Sequence, residues 1–294
     1  METNFSTEEL NNSITKPSVS TVLSTFDGMS CGQIALERAG IKYNEYYASE
    51  IDKHAIQVTQ KNYPNTKQLG SVIEINAVDL PKIELLMGGS PCQGFSTAGK
   101  ELNFEDERSK LFFEFVRLKN ELNPKFWLLE NVSMKKEFRD IISKFLGCEP
   151  VMINSSIITG QNRPRYYWTN IIFSLPKEKN INVSDVLGIE NAQIGQPQPY
   201  PRNYKALGLK RVERVEYRTD GKSNAIITNP QKNLLKTDDG HRKLTPVECE
   251  KLQTVPLNYT DCVTDGHRYK MLGNGWTVDV IAHILSFIPQ QQNS

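Results

Sequence analysis

The sequence is poor in the features that mark secreted, metal-stabilised or membrane-embedded proteins. Its five cysteines are odd in number and widely spaced, and no CxxC pair occurs in the 294 residues, which argues against a disulfide framework or a zinc site. No apolar run approaches the ~20 residues of a membrane span. The polar N-terminus also lacks the layout of a signal peptide. We therefore expect an intracellular protein without bound metal, beginning with a disordered tail over residues 1–18.

The chain also lacks a large net charge, because the formal value is only +1. The charge is unevenly distributed, however. Between Arg202 and Lys222, seven lysines and arginines stand beside three acidic residues, so this stretch has a net charge of +4. An anionic polymer could bind such a surface, and the alternative is a solvated basic face.

The first half of the sequence alternates short apolar runs with helical patterns. The runs "TVLSTF", "NEYYASEI", "IELLMGG" and "KFWLLENV" are typical of buried strands, whereas "QIALERAG", "KHAIQVTQKNY" and "SKLFFEFVRLKNEL" have helical periodicity. Strands that alternate with helices predict an α/β fold of the doubly wound class. Its sheet is expected to be mostly parallel and covered on both faces.

This alternation breaks after about residue 175. The stretch "GQPQPYPRNY" is rich in proline and glutamine, which indicates a connector or irregular loop. Helical signals return at "LTPVECEKLQ", with Thr245 as the N-cap and Pro246 as the first helical residue, and a last helix is expected from Thr277 to Ile288. We predict a small second domain at residues 176–240, and a larger domain made of residues 19–175 and 241–294.

A glycine-containing loop, "TFDGMSCG", follows the first predicted strand and opens the first helix. Ligands of doubly wound sheets bind beside such turns. Glu50, at the end of the second strand, stands where an acidic residue commonly binds a ribose. The spacing Gly28-x-x-x-Gly32 differs from the G-x-G-x-x-G of nicotinamide dinucleotide sites. It favours a nucleoside without a diphosphate, such as S-adenosylmethionine, with a plain tight turn as the alternative.

Further reactive groups are predicted at the same sheet edge. Cys92 comes just past the third strand, where it is either a nucleophile or a packed core cysteine. Glu130 ends a strand that looks buried, and a carboxylate there needs a partner or a task. Extended alternation in "QNRPRYYWTN" places Gln161, Arg163 and Arg165 on one side. Two guanidiniums could hold a carboxylate and a phosphate.

From about Thr21 to Ile288 the chain resembles the DNA (cytosine-5)-methyltransferases. Seven features match that family in its order: "FDGMSCG", Glu50, "GGSPCQGFS", "ENV", "QNRPRYYW", "LTPVECEKLQ" and "GNGWTVDVI". "GGSPC", with Ser90 where many bacterial relatives have a second proline, "SKLFFEFVRLKN" and "RYYWTN" are most similar to the de novo branch of the animal enzymes. The resemblance implies a Rossmann-like class I methyltransferase fold with a small target-recognition domain. The compact chain suits a bacterial or phage member, as in restriction–modification.

The resemblance implies methylation at C5 of a cytosine that is flipped out of duplex DNA. Cys92 would attack C6, Glu130 would hold and protonate N3, and Arg165 would fix O2. Arg163 would order the site or contact a phosphate. Asn131 would brace either Glu130 or the neighbouring loop.

The implied cofactor is S-adenosylmethionine, with S-adenosylhomocysteine as the product. The implied cofactor contacts are Phe26, Asp27, Gly28, Gly32, Glu50, Ile51, Ser71, Val72, Ser90, Pro91, Asn274 and Trp276. Phe26 would lie against the adenine, and Glu50 would bind the ribose. Many relatives have an aspartate at the adenine amino contact, whereas this chain has Ser71, so Ser71 or the backbone at Val72 would read that group.

The implied partner is double-stranded DNA. The implied DNA contacts are Gln93, Ser96, Gln161, Arg211, Arg214, Arg218, Arg268 and Lys270. Gln93 and Ser96 belong to a loop that would fill the gap left by the flipped base. The protein would be a monomer or a homodimer, with Phe112 and Phe113 either joining subunits or packing in the core.

Three other functions stay open on the sequence. A non-catalytic S-adenosylmethionine-binding regulator of this fold is disfavoured by the intact set of Cys92, Glu130 and Arg165. A tRNA cytosine-5 methyltransferase is disfavoured because the Cys-Phe-Thr signature of that branch does not occur. A nicotinamide-dependent dehydrogenase is disfavoured by the spacing of the glycine loop.

Overall fold

The computed structural model describes residues 18–91, 107–210 and 212–289. The strands of this part are β1 Ser18–Thr25, β2 Lys42–Ser49, β3 Lys67–Gln68, β4 Leu85–Gly88, β5 Phe126–Val132, β6 Val151–Asn154, β7 Pro164–Thr169, β8 Ile194–Tyr200, β9 Val212–Tyr217, β10 Leu234–Thr237 and β11 Gly240–Lys243. The α-helices are α1 Cys31–Arg38, α2 Lys53–Asn62, α3 Glu107–Leu122, α4 Lys136–Leu146, α5 Val183–Leu187, α6 Pro246–Leu252, α7 Asp265–Asn274 and α8 Val278–Leu285.

Seven strands form one sheet in the order β3-β2-β1-β4-β5-β7-β6. Neighbouring strands are parallel except in the pairs made by β7, which runs antiparallel to both β5 and β6. The predicted α/β fold with a mostly parallel sheet is therefore confirmed.

The central strands are buried on both faces, as their continuous apolar runs predict. Successive residues belong to different apolar clusters: Val22 and Leu128 lie in one, whereas Leu23 and Leu129 lie in the other. Helices α1 and α8 contribute to the first cluster, and α3 and α4 contribute to the second. The sheet is thus enclosed, and its strand ends are the places where functional side chains emerge.

Helical periodicity predicts that Leu111, Phe115, Leu118 and Leu122 share one face of helix α3, and the structure buries a slightly different face. Phe112, Phe115 and Leu118 are fully buried, whereas Leu111 and Leu122 are only half-buried. The ring of Phe112 also lies edge-on against that of Phe113. These contacts support the core-packing alternative for Phe112.

A second, four-stranded antiparallel sheet has the order β11-β10-β8-β9. The prediction of an irregular loop at "GQPQPYPRNY" is wrong, because most of it is strand β8. Pairing of β8 with β10 stops at Gly195, so the rest of β8 has an open side. Pro197 and Pro199 lie in this edge portion, where a missing N–H costs little.

The small sheet shares its core with the large one. Ile194 and Leu235 of this sheet belong to the same apolar cluster as Val22 of β1. Its last strand ends at Lys243, three residues beyond the predicted boundary at 240. The domain division stays a prediction. The N-cap role of Thr245 in α6 is observed, since its hydroxyl accepts from Glu248 N at 3.2 Å. Among the residues described, every helix is too short or too polar to span a bilayer.

The two glycines of helix α7 generate a test of this packing. A Cβ at Gly273 would lie 2.2 Å from Thr228 N and 2.3 Å from Ile227 C, whereas a Cβ at Gly266 would meet nothing within 4 Å. We expect Gly273→Ala to lower the free energy of unfolding by about 3 kcal/mol or more, because backbone must move. The matched Gly266→Ala should be neutral or stabilise by up to ~1 kcal/mol. Urea denaturation of both variants measures this difference, and equal stabilities would contradict it.

Candidate active site

The carboxyl ends of four parallel strands meet at one edge of the large sheet. They are Thr25 of β1, Ser49 of β2, Gly88 of β4 and Val132 of β5. Strand β7 is antiparallel to β5, so its first residue, Pro164, lies at this edge as well. Such an edge is where ligands of doubly wound sheets bind.

Glu130 and Arg165 meet at this edge. The register pairs Glu130 with Tyr167 and Val132 with Arg165, so Glu130 and Arg165 are diagonal neighbours on one face of the sheet. Glu130 Oε1 lies 3.0 Å from Arg165 Nε, and the two side chains are only 10% and 13% exposed. A carboxylate that is buried this deeply requires such a partner.

The loop after β1 has three residues in the left-handed region: Phe26 at φ 55°, Gly28 at φ 59° and Ser30 at φ 63°. There is space for a side chain at Gly28, because a Cβ there would meet nothing within 4 Å. Glycine is needed at this position for its positive φ instead. The two other residues cost roughly 1–2 kcal/mol each in this conformation. Concentrated backbone strain of this kind is typical of functional loops.

Gly32, in contrast, is needed for space. A Cβ there would lie 2.6 Å from Tyr46 Oη and 2.9 Å from Met87 Cε. The indole of Trp276 lies near the same point, at 3.7 Å. Gly32 therefore lets the start of α1 approach β2 and β4 closely.

Glu50 is held by backbone donors. Its Oε2 accepts from Gly28 N at 2.8 Å, and its Oε1 accepts from Ile51 N at 2.7 Å and Asp52 N at 2.8 Å. Ile51 beside it is 78% exposed. The carboxylate is thus rigidly placed between the loop after β1 and helix α2.

Asp27 is buried in the same loop. Its Oδ1 accepts from Tyr46 Oη at 2.7 Å, whereas its buried Oδ2 has no hydrogen-bond partner in the part of the chain that the structure describes. Burial raises the pKa of the Asp27 carboxyl from 3.8 to about 6, and the nearby charge of Glu50 adds to this shift. An unpartnered buried carboxylate oxygen fits a site that receives a polar or cationic ligand group.

Asn131 braces the loop after β4. Its Nδ2 donates to Ser90 O at 3.3 Å and to Ser90 Oγ at 3.1 Å, and both residues are buried. Of the two predicted alternatives for Asn131, these bonds favour the loop over Glu130. Pro91, which follows Ser90, is the last described residue before Cys92.

Trp276 borders both Gly89 and Glu130. A Cβ at Gly89 would lie 2.8 Å from Trp276 Nε1 and 3.3 Å from Glu130 Oε2. Trp276 is buried, whereas Asn274, at the end of α7, is exposed. Ser71 is half-buried and Val72 is buried, directly after the short strand β3. These positions border the edge at which the cofactor contacts are predicted.

The predicted DNA contact of Gln161 is wrong. Gln161 is fully buried, donates to Leu252 O at 2.9 Å and accepts from Ile226 N at 2.7 Å. Arg163 is 3% exposed and donates to three carbonyls: Ile226 O at 2.5 Å, Gly273 O at 3.1 Å and Gly275 O at 2.8 Å. Burial, reinforced by Arg165, lowers the pKa of Arg163 to about 9. This favours the site-ordering alternative for Arg163 over a phosphate contact.

The predicted phosphate contact of Arg268 stays a prediction, although its guanidinium already has partners within the protein. The Arg268 side chain is 11% exposed, and its guanidinium donates to Thr260 Oγ1 at 2.9 Å and lies 3.2 Å from Glu250 Oε1. Lys270 is 57% exposed and pairs with Asp52 at 2.6 Å.

The arginines of the small sheet differ in their surroundings. The guanidinium of Arg218 pairs with Asp220, and its side chain is 27% exposed. Arg214 is exposed and lies over the ring of Tyr200 at 5.6 Å. Arg214 is therefore more accessible to a partner than Arg218.

Four predicted site residues lie outside the described part of the chain: Cys92, Gln93, Ser96 and Arg211. Their roles stay predictions. Sequence reasoning also missed two residues of this edge, Tyr46 and Gln253. The signal for Tyr46 was a hydroxyl at the start of the buried half of a strand. The signal for Gln253 was an amide directly after the last residue of α6, next to the buried Leu252. The described residues contain no group of three or more His, Cys, Asp or Glu side chains that could hold a metal ion.

The sheet order and the loop after β1 define a Rossmann-like methyltransferase fold. The crystal structure of the S. pombe Dnmt2 methyltransferase superposes with a TM-score of 0.68 at 18% identity, covering 92% of this chain and 98% of that one. At this identity the likeness shows the fold alone.

The sequence matches the family model of the C-5 cytosine-specific DNA methylases over residues 20–201 and 162–290. The Type II methyltransferase M1.ScrFI of Lactococcus lactis subsp. cremoris is 28% identical over 284 residues, covering 82% of this chain and 70% of the relative. The Type II methyltransferase M.NlaX of Neisseria lactamica is 27% identical over 303 residues, covering 90% and 94%. The chain belongs to the C-5 cytosine-specific DNA methylase family. It transfers a methyl group from S-adenosylmethionine to cytosine C5 in DNA. The relation to the de novo branch stays a prediction.

The raised pKa of Asp27 predicts a pH dependence of stability. The folded protein binds the Asp27 proton more tightly than the unfolded chain does. The stabilisation that comes from this proton is therefore fully present below about pH 4. It is lost as the pH rises through 6, the folded pKa. When the pH is raised from 5 to 8, the unmodified protein should therefore lose free energy of unfolding that Asp27→Asn does not lose. The difference between the two proteins should change by on the order of 1 kcal/mol in favour of Asp27→Asn.

Urea denaturation without cofactor, at both pH values, measures this gain. Asp239→Asn, at an exposed turn between β10 and β11, is the control for loss of a surface carboxylate. An identical gain in both variants would contradict a specific role for Asp27.

Proposed function

We propose that the methyl transfer takes place where Glu130, Arg165 and Trp276 border the segment that leads to Cys92. The observation that carries this proposal is the buried ion pair of Glu130 and Arg165 at 3.0 Å. Asn131 supports the neighbouring loop through Ser90. Two residues after Ser90, Cys92 would reach a base held by the ion pair.

In the proposed mechanism the Cys92 thiolate attacks C6 of the target cytosine. Electron density would then move to C5, which would bond to the methyl carbon as the bond of that carbon to sulfur breaks. Transfer of the C5 proton to water would let the C6–sulfur bond break and release the Cys92 thiolate. Glu130 would hold and protonate N3, and Arg165 would stabilise O2 while keeping Glu130 in place. S-adenosylmethionine supplies an electrophilic methyl group on a sulfonium.

We propose that the cofactor lies along the strand ends of β1, β2 and β4. The fixed carboxylate of Glu50 would bind the ribose hydroxyls, and the exposed Ile51 would cover a ring edge. The unpartnered oxygen of Asp27 supports a polar ligand group close to the loop after β1. Trp276 would form the wall towards Glu130.

The small sheet is proposed to contact duplex DNA. Its β8–β9 connection carries Lys205 and Lys210, both exposed, and exposed Arg214 follows in β9. Gln93 and Ser96 would fill the gap left by the flipped base. The full burial of Phe112 supports a monomer. Since the substrate is DNA, we propose that the protein acts inside the cell.

Replacing the proposed nucleophile tests the mechanism. Duplex DNA and methyl-labelled S-adenosylmethionine should yield labelled 5-methylcytosine with the unmodified protein. With Cys92→Ala the rate should fall by more than about 1,000-fold, because the covalent route is lost. Cys148→Ala, at a half-buried thiol of the other apolar cluster, should keep its activity. Label in tRNA but not in DNA, or equal rates for both variants, would refute the proposal.

The DNA surface is tested by removing two lysines at a time. Lys205→Ala/Lys210→Ala should weaken DNA binding at least about fivefold. A plot of the logarithm of the DNA-binding constant against the logarithm of the salt concentration should become less steep by up to about 2. Lys42→Ala/Lys82→Ala removes two exposed lysines at the opposite edge of the large sheet and is the matched control. Fluorescence anisotropy over a salt series measures both quantities. If the salt dependence became less steep by the same amount in both double variants, the proposed position of the DNA surface would be contradicted.

A further inference from the structure

Gln253 lies at the end of α6 and is completely buried. Its Oε1 accepts from Gln161 Nε2 at 3.0 Å and from Thr277 Oγ1 at 2.9 Å. Its Nε2 donates to Leu272 O at 2.7 Å and to Gly275 O at 3.2 Å. The full hydrogen-bonding capacity of this amide is thus used in the interior, where an unsatisfied group would be costly.

These bonds enclose Trp276 on both sides in the sequence. Gly275 precedes Trp276, and Thr277 follows it, so Gln253 holds the chain immediately before and after the indole. Arg163 adds a second bond to Gly275 O, at 2.8 Å. The backbone around Trp276 is therefore fixed by side chains from two other segments of the chain.

The position of Trp276 has little tolerance. A Cβ at Gly89 would lie 2.8 Å from Trp276 Nε1 and only 3.3 Å from Glu130 Oε2. On its other side, the indole lies 3.7 Å from the Cβ position of Gly32. A shift of about 1 Å in Trp276 would thus change the space beside both the glycine loop and Glu130.

We infer that Gln253 is a positioning residue for the methyl transfer, acting through Gly275 and Thr277 on Trp276. This inference rests on the proposed function, in which Trp276 is a wall of the cofactor site. Gln253 touches neither the cofactor nor the base. Its removal would loosen the wall and weaken cofactor binding more than it slows the chemical step.

The test is Gln253→Met, which keeps the length of the side chain but removes its amide. Calorimetric titration with S-adenosylhomocysteine should show a dissociation constant that is higher by about tenfold. In the methylation assay, KM for S-adenosylmethionine should rise by a similar factor, with kcat reduced by less than about threefold. A purely structural role would lower the melting temperature without this split.

Ser143→Ala is the matched control. It removes a buried hydrogen bond of 3.0 Å to Trp168 Nε1, in the other apolar cluster, and should leave the dissociation constant unchanged. If Gln253→Met raises that constant no more than Ser143→Ala does, the inference is overturned.

Two further results are informative. If circular dichroism shows that Gln253→Met is unfolded, Thr277→Val takes its place as the test, because it removes only one of the four hydrogen bonds of Gln253. The dissociation constant for S-adenosylhomocysteine should then rise by about threefold. No change in that variant would also overturn the inference. Failure of the proposed function is distinguishable, because the unmodified protein would then form no labelled 5-methylcytosine although its affinity for S-adenosylhomocysteine still depended on Gln253.

Discussion

The burial of a carboxylate at the end of β5 is the constraint on which this edge of the molecule depends. The Glu130 side chain is only 10% exposed, and an ionised group at this depth is stable only beside a well-placed cation. Strand β7 supplies that cation. Because β7 is inserted antiparallel between β5 and β6, Arg165 near the start of β7 lies beside Glu130 near the end of β5. The exception to the parallel sheet is therefore what brings the two charges together.

Two neighbouring arginines at the entry to β7 have different tasks. Arg165 lies in β7, and Arg163 directly precedes that strand. Of the two, only Arg165 has a carboxylate partner among the described residues. Arg163 enters the interior and donates to carbonyls of three residues, which makes it a cross-link between separate segments. Its lowered pKa reflects the loss of water around its charge. Residue type and strand periodicity alone do not separate these tasks, since both depend on what the rest of the chain places opposite.

The predictability of this protein follows the range of its interactions. Strands β1, β4 and β5 are predictable because burial on both faces leaves continuous apolar runs. Thr245 is predictable because an N-cap is a local device. Strand β8 is missed because its prolines occupy an edge, which becomes visible only when its partners are known. Gln161 is misassigned for a similar reason. Its partner Leu252 is 91 positions away, and no local pattern predicts that pairing.

Three glycines are needed because they allow close packing, and not because they take part in the chemistry. Gly32, Gly89 and Gly273 each lack room for a methyl group, with the nearest atoms at 2.2–2.8 Å from the Cβ position. Two of them face Trp276, and the third lets the backbone at Ile227 rest on α7. A single larger side chain at any of these positions would separate surfaces that must touch. Close packing around the indole thus explains Gly32 and Gly89, because the charged groups of the site can keep their geometry only if the wall beside them does not move.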